Sequence, residues 1–519
     1  MQMMTLRQKI GQMIMMGFPT NEVTPELRQT LEEYMIGNFI LFSHNVVTKK
    51  QMHQLCADIQ ENVKRNTGHA AFISIDQEGG MVARMPADAV SMPAAMAIAA
   101  TGNPQNAYLA GKITGLELNA LGVNMNLAPD MDINSNPDNP VIGVRSFGDT
   151  KETVTEFGIS LMKGLHDGGV MSVIKHFPGH GDTAVDSHLG LPKVEKTLDQ
   201  LEQNELVPFK TAIENGVCGV MSSHILFPNI EKENLPCTMS HELLTGLLRE
   251  KYGFEGLILT DCLEMDAIKK YYGTAQGALA AIRAGANLVC ISHTAALVEE
   301  TVKTVEQAVL SGELPEDIID ASVEKILKYK AKYAECSAGS QQISCVGSEM
   351  HRKEAERISE ESITLVHRGN ALLSVNGEET LFAGCFANRS TLASSSVNKD
   401  FNFPEYMAEH LGGDFLVTPI NPTEQEIQGI VEEAKKYNSI VLGTYNGQRN
   451  SGQVELANKL CAVCDNMIVV SLFSPYDLAR IDERATKLAA YEYTVLSLNT
   501  LIKVFSGKAI PQGKLSVKL

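Results

Sequence analysis

The sequence lacks several features that would assign a function class directly. No stretch approaches the roughly 20 apolar residues that a membrane-spanning helix needs. The formal net charge of −18 argues against nucleic acid or an anionic membrane as the main partner. Neither an HExxH-like metal spacing nor a glycine loop followed by Lys-Ser/Thr for phosphate binding is present. With 44% hydrophobic and 20% charged residues, the chain has the composition of a soluble globular protein.

Cysteine usage indicates a reducing compartment. The ten cysteines are scattered, and some of them, such as Cys218 and Cys290, lie within apparent strands. Cys461 and Cys464 form a Cys-x-x-Cys inside a helical pattern with no second pair nearby, so we expect them to pack and not to bind zinc or exchange electrons. Residues 1–9 lack the layout of a signal peptide. We therefore expect a cytoplasmic protein with reduced thiols.

The first part of the chain alternates short apolar runs with longer amphipathic stretches. Eight strands, each followed by a helix, predict a closed (β/α)₈ barrel over residues 1–335, and an open doubly wound sheet is the alternative architecture. The predicted strands are Met13–Gly17, Asn38–Phe42, Ala71–Asp76, Asn124–Ala128, Ser172–His176, Cys218–Ser222, Leu257–Asp261 and Asn287–Ser292. The predicted helices are Pro25–Met35, Lys49–Arg65, Gln105–Leu121, Lys151–Asp167, Leu198–Asn215, His241–Lys251, Ala275–Ala284 and Thr294–Leu310.

The second part predicts a smaller domain. Residues 336–350 read as a Ser-, Gly- and Gln-containing linker, and residues 351–519 as an α/β layered (αβα sandwich) domain with a parallel sheet. Its pattern predicts a helix over Lys353–His367 and four strands. The predicted strands are Thr380–Phe386, Phe415–Val417, Ser439–Tyr445 and Met467–Phe473. Clusters of titratable residues are few in this second domain, so we expect it to have a structural role and to form one side of a cleft.

The most informative segment runs from Lys175 to His188. It follows an apolar run and packs basic, acidic and imidazole groups into a loop, where barrel enzymes collect catalytic residues. Asp186 and His188 are two residues apart, so the carboxylate can orient the imidazole for proton transfer near neutral pH. A solvated polar loop and a His-rich metal site are the alternatives for this pattern alone. Asp76 and Asp261 likewise close predicted strands.

This segment resembles the corresponding loop of family-3 glycoside hydrolases, specifically their β-N-acetylglucosaminidase branch. Three further segments agree with that family: Asp76–Gly80 with Arg84, Asn134–Gly148, and Thr260–Met265. The resemblance is strong over about residues 1–335 and looser beyond. It implies a two-domain glycosidase with an Asp-His acid/base dyad.

The resemblance also implies roles for particular residues. Asp261 would be the nucleophile, and His188, oriented by Asp186, the acid/base. The residues that would bind sugar hydroxyls are Asp76, Arg84, Arg145, Lys175 and His176. From spacing alone, Asp261 can instead cap the next helix, and Arg145 can instead bridge to Asp138 or Asp149.

Two departures from the family pattern are Met81, where many relatives have arginine, and the pair Asp130-Met131, which replaces a more apolar pair. Either can alter the subsite that receives the leaving group.

We therefore expect a retaining exo-β-N-acetylglucosaminidase that forms a glycosyl-enzyme intermediate and needs no cofactor or metal. In the branch it resembles, trimming of cell-wall muropeptide fragments is a common duty. Because a neutral histidine does not repel an anion, a β-N-acetylglucosaminide phosphorylase with the same residues is an alternative, and a family-3 β-glucosidase is another. The partner is a small-molecule or oligosaccharide substrate. The sequence makes no prediction of the oligomeric state.

Overall fold

The computed structural model describes residues 4–186, 190–335, 342–387, 394 and 401–519. It contains a closed barrel of eight parallel strands followed by a separate six-stranded sheet. The predicted (β/α)₈ architecture is therefore confirmed, and the open-sheet alternative is wrong.

The barrel strands follow one another in chain order, and β1 pairs with β8 to close the ring. All eight strands lie within one or two residues of the predicted runs. Apart from the last residues of β7, their side chains are buried, because the ring of helices covers the outer face and side chains fill the interior. The strands are β1 Ile14–Met16, β2 Asn38–Leu41, β3 Phe72–Ile75, β4 Met125–Asn126, β5 Met171–Phe177, β6 Gly219–Ser222, β7 Leu257–Cys262 and β8 Leu288–Ile291.

Helices connect these strands, and the predicted helix Leu198–Asn215 is broken in two at Asn204. Asn204 has φ −137° and ψ −82°, outside the helical region, and the neighbouring buried Glu205 pairs with Lys196 at 2.6 Å. A π-helical segment covers Glu242–Lys251. The barrel's α-helices are α1 Leu6–Met13, α2 Pro25–Tyr34, α3 Lys49–Thr67, α4 Ala95–Ala100, α5 Pro104–Leu121, α6 Lys151–Asp167, α7 Leu198–Gln203, α8 Leu206–Glu214, α9 Asp266–Lys269, α10 Thr274–Ala284, α11 Ala295–Leu310 and α12 Glu316–Lys330.

The second sheet has the strand order β11-β10-β12-β13-β14-β9. Its strands are β9 Thr364–His367, β10 Thr380–Gly384, β11 Asp414–Val417, β12 Ser439–Thr444, β13 Met467–Ser471 and β14 Thr486–Ala489. Its helices are α13 Glu349–Ser362, α14 Phe403–Leu411, α15 Glu424–Ala434, α16 Ser451–Cys461 and α17 Val495–Phe505.

The prediction of a parallel sheet is wrong at one edge. The predicted helix over Lys353–His367 ends at Ser362, and Thr364–His367 instead forms β9, which pairs antiparallel with β14. A four-residue apolar run directly after an amphipathic helix cannot be distinguished from another helical turn by periodicity. The sheet is therefore mixed.

The second domain contacts the loops at the carboxyl face of the barrel. Asn134 Nδ2 donates to Tyr476 Oη at 2.8 Å, and the backbone N–H of Ala94 donates to Glu492 Oε2 at 2.7 Å.

Within the described parts of the chain, no helix combines the length and apolar content needed to cross a bilayer.

Candidate active site

A cavity of about 550 Å³ opens where the barrel strands end at their carboxyl side. This is the face at which barrel enzymes build their active sites, because loops from all eight strands converge there. Six predicted site residues line the cavity: Asp76, Arg84, Arg145, Lys175, His176 and Asp261. Residues separated by up to 185 positions in the chain are thus brought together.

The predicted dyad is described in part. Asp186 is 8% exposed, and its carbonyl accepts a hydrogen bond from the N–H of Gly190 at 3.1 Å. His188 lies outside the described residues. The pairing of the two side chains therefore stays a prediction.

A buried network of ion pairs connects the sugar-binding candidates. Lys175 Nζ lies 2.6 Å from Asp76 Oδ1 and 2.7 Å from Glu78 Oε1. Arg145 donates to both oxygens of Glu78 at 2.8 Å. Glu78 is thus the carboxylate that joins the two cations. The proposed bridges from Arg145 to Asp138 or Asp149 are wrong.

Burial and charge act in opposite directions on this network. Burial raises the pKa of Glu78, but Arg145 and Lys175 lower it by more, so it lies well below the usual range. Burial lowers the pKa of Lys175, and Asp76 and Glu78 raise it to above its ordinary value. Glu78, Arg145 and Lys175 are therefore charged at neutral pH.

His176 is held by Asp132, a residue that sequence analysis did not single out. His176 Nδ1 lies 2.7 Å from Asp132 Oδ2, and Arg145 Nη2 lies 3.4 Å from His176 Nε2. This arrangement fits a neutral imidazole that donates through Nδ1 and accepts through Nε2. Burial lowers the pKa of His176 to about 4 and raises that of Asp132 to about 6. The backbone N–H of His180 also donates to Asp132, at 2.6 Å.

Asp130 lies behind the cavity wall. Its Oδ2 is 3.6 Å from Arg145 Nη2, and its Oδ1 accepts from the N–H of Asp132 at 2.9 Å. Asp130, Asp132 and His176 offer donor atoms within 4.8 Å of one another, a set that can hold a metal ion. The neighbouring Arg145 guanidinium already supplies positive charge to these carboxylates.

Met81, the other departure from the family pattern, packs in the core of the second domain.

Asp261 lies near the end of β7. The backbone N–H of Cys262 donates to Asp261 Oδ1 at 2.7 Å, which orients the carboxylate. The next helix, α9, begins at Asp266 with Met265 as its N-cap residue. The alternative reading of Asp261 as a helix cap is therefore wrong.

Sequence analysis also missed other residues that line the cavity, among them three aromatic ones. Phe42 and His44 follow β2, and His293 follows β8. The same strand-end rule that selected Asp76 and Asp261 would have found them. Ser394, which is 3% exposed, also lines the cavity and comes from the second part of the chain.

The comparisons with known proteins agree with this geometry. Residues 5–329 match the family described as glycosyl hydrolase family 3 N terminal domain. The chain belongs to glycosyl hydrolase family 3. It is a glycoside hydrolase, and the match covers the barrel that carries the cavity.

Three similar proteins make the relationship more specific. Beta-hexosaminidase A from Pseudoalteromonas piscicida is 33% identical, with 76% of this chain and 74% of that protein covered. Beta-hexosaminidase from Neisseria meningitidis serogroup C (strain 053442) is 32% identical, with 56% of this chain and 80% of that protein covered. The structure of a family-3 β-N-acetylglucosaminidase from Paenibacillus sp. str. FPU-7 is 35% identical, covers 99% of both chains and superposes with a TM-score of 0.91.

Proposed function

We propose that the protein is a retaining exo-β-N-acetylglucosaminidase. The observation that carries this proposal is the convergence of Asp261 and five hydrogen-bonding side chains on one cavity. The full-length similarity to a β-N-acetylglucosaminidase at 35% identity supports the choice of sugar.

Asp261 is the proposed nucleophile. Its carboxylate lines the cavity and is oriented by the N–H of Cys262, and β7 gives it a rigid backbone. Attack by this carboxylate on the anomeric carbon forms a glycosyl-enzyme, and water then releases the sugar with its original anomeric configuration.

Proton transfer to the leaving oxygen is assigned to His188, with Asp186 as its positioning residue. The two histidines in the described part of the segment from Lys175 to His188 are poor candidates for the role of proton donor. Burial lowers the pKa of His176 to about 4 and that of His180 to about 3, so both rings are neutral at neutral pH and neither is the imidazolium that a general acid requires.

The ion-pair network is proposed to hold the terminal sugar. Lys175 is fixed by Asp76 and Glu78, and Glu78 also fixes Arg145. Charged groups make stronger hydrogen bonds to hydroxyls than neutral groups do. We also propose a cytoplasmic location and cell-wall fragments as natural substrates. The first rests on the scattered cysteines and the second on the resemblance to the branch.

Product analysis on nitrophenyl β-N-acetylglucosaminide, with and without phosphate, tests the proposed function. We expect free N-acetylglucosamine at a rate independent of phosphate. A phosphate-dependent rate with N-acetylglucosamine 1-phosphate as product would replace hydrolase by phosphorylase. Faster cleavage of the matching glucoside would overturn the choice of sugar.

A further inference from the structure

Three aromatic side chains that follow strands β2 and β8 line the cavity, opposite β5, the strand that carries Lys175. Phe42 and His44 follow β2, and His293 follows β8; these strands flank β1, whereas Lys175 is on β5. The Phe42 and His44 rings are stacked, with centroids 5.8 Å apart and planes 10° apart, and the Phe42 and His293 centroids are 4.7 Å apart. We call Phe42, His44 and His293 the aromatic wall.

The aromatic wall is open to the cavity and to solvent. His44 and His293 are exposed and Phe42 is half-buried, and all three line the cavity. Rings left in water at the rim of a ligand cavity gain free energy when a ligand covers them. The proposed catalytic and sugar-binding roles do not use any of these rings.

The backbone at His293 is strained and held in place from two sides. Its φ is 124°, a region that side chains other than glycine rarely adopt. A Cβ added to Gly17 would lie 3.3 Å from the backbone nitrogen of His293, so the chain that follows β1 approaches the His293 backbone closely. On the other side, Glu264 accepts from Thr294 N at 3.0 Å and from Thr294 Oγ1 at 2.7 Å. Strain fixed by its surroundings in this way is typical of ligand sites.

The β2 side of the aromatic wall is held equally firmly. His44 Nε2 donates to the carbonyl of Phe18 at 2.9 Å. Asn45 accepts from the N–H of Phe42 at 2.8 Å and donates to the same Phe18 carbonyl at 2.9 Å. The wall is therefore formed before a ligand arrives, which reduces the entropy lost on binding.

The chemistry of the wall favours a ring-shaped ligand. Burial lowers the pKa of His293, so its ring is neutral at pH 7. A pyranose ring presents C–H groups on its faces, which pack on neutral aromatic rings, and hydroxyls at its edge.

We propose that the aromatic wall is the subsite for the leaving group, where the sugar ring on the far side of the scissile bond stacks. This inference rests on the proposed function, because it uses the same cavity. The cavity is then divided by chemistry. Buried charged groups bind the hydroxyls of the terminal sugar, and exposed rings bind the face of the next one.

A pair of glycosides that share the terminal sugar tests the proposal. One is a disaccharide, whose leaving group contains a ring, and the other is the methyl glycoside, whose leaving group does not. The readout is the ratio of kcat/KM for the disaccharide to kcat/KM for the methyl glycoside. Measuring this ratio with N-acetylglucosaminides and with glucosides makes the result independent of which sugar the cavity prefers.

We expect His293→Ala and His44→Ala each to lower this ratio by about tenfold, the loss of one ring contact. His293→Phe, which keeps a ring at the same strained backbone, should restore it. His410→Ala is the matched control, because His410 is exposed on α14 and is not among the described cavity residues. His44 is held by its hydrogen bond to Phe18, and His293 lies beside Thr294, which is bonded to Glu264, so the two sites are held separately and one folded variant is sufficient.

An unchanged ratio in a folded variant would overturn the leaving-group subsite, as would failure of His293→Phe to restore it. A wild-type preference for the glucoside pair would instead overturn the proposed sugar. The ratio in the variants would still decide the role of the wall.

Discussion

Lys175 Nζ lies 2.6 Å from Asp76 Oδ1. The contact joins the ends of β5 and β3, which are separated by β4 in the barrel. Glu78 and Arg145 extend it into a buried network. The cavity's charged groups are thus fixed relative to one another before a sugar binds, and such preorganisation is what positioning catalysis requires.

Removal of the Glu78 charge should destabilise the protein. Glu78→Gln leaves Lys175 and Arg145 buried with one carboxylate fewer, and breaking a buried pair in this way costs about 3–5 kcal/mol. Urea titration of the free energy of unfolding measures the loss. Glu432→Gln is the control, because Glu432 on α15 forms an exposed pair with Lys435 and should change nothing measurable. Equal losses in both variants would contradict the account of the network.

Asp261→Ala should lower turnover by at least about 10⁴-fold with little change in melting temperature. Azide is small enough to occupy the space of the missing carboxylate and should rescue activity, giving a glycosyl azide of inverted configuration. Appreciable residual turnover without azide would remove Asp261 from the role of nucleophile.

His188→Ala should slow substrates with poor leaving groups most. A nitrophenolate departs without a proton, whereas a sugar alkoxide needs one, so the loss of a proton donor is graded by leaving-group pKa. We expect about 10²–10⁴-fold loss for a disaccharide and a smaller loss for the nitrophenyl glycoside. Equal losses would count against proton donation.

Asp186→Asn should reproduce part of this pattern. Asparagine keeps the size of the side chain but removes the charge that orients and polarises the imidazole. The slope of log kcat/KM against leaving-group pKa should lie between those of the wild type and His188→Ala. A wild-type slope would show that Asp186 does not act through His188.

Glu492 gives the stability a predicted dependence on pH. Burial raises the pKa of Glu492 to about 7, whereas an unfolded glutamate titrates near about 4.3. Between these values the folded chain binds more protons than the unfolded one, so the free energy of unfolding falls as pH rises and levels off above pH 7.

Comparison with Glu492→Gln isolates this contribution. In the Glu492→Gln variant this contribution is absent. The free energy of unfolding of the variant minus that of the wild type should therefore increase by up to about 3 kcal/mol from pH 4.5 to 7.5. Parallel curves for the two proteins would contradict the raised pKa.

Sequence analysis predicted the barrel because its signal is repeated eight times. Each short apolar run followed by an amphipathic stretch supports the others, and the rule that function lies at strand ends then selected Asp76, Lys175 and Asp261. The edge strand β9 was missed because a single four-residue run carries no such support.

The network could not be predicted from spacing. Asp132 contacts His176 across 44 positions of the chain, and Glu78 contacts Arg145 across 67. Such pairings depend on which way the strands and loops aim their side chains, and periodicity does not record that direction. The aromatic wall was missed for a different reason. Phe42 reads as the last residue of an apolar strand, and the strand-end rule was not applied to His44 and His293, although it selects them.

The assignment of Asp261 is the central claim, and covalent trapping tests it most directly. A fluorinated N-acetylglucosaminyl fluoride that accumulates the glycosyl-enzyme should add one sugar mass to the protein, and peptide mapping should locate that mass on Asp261. A label on another carboxylate, or inversion of the anomeric configuration with no label while the natural glycoside is cleaved, would contradict the account.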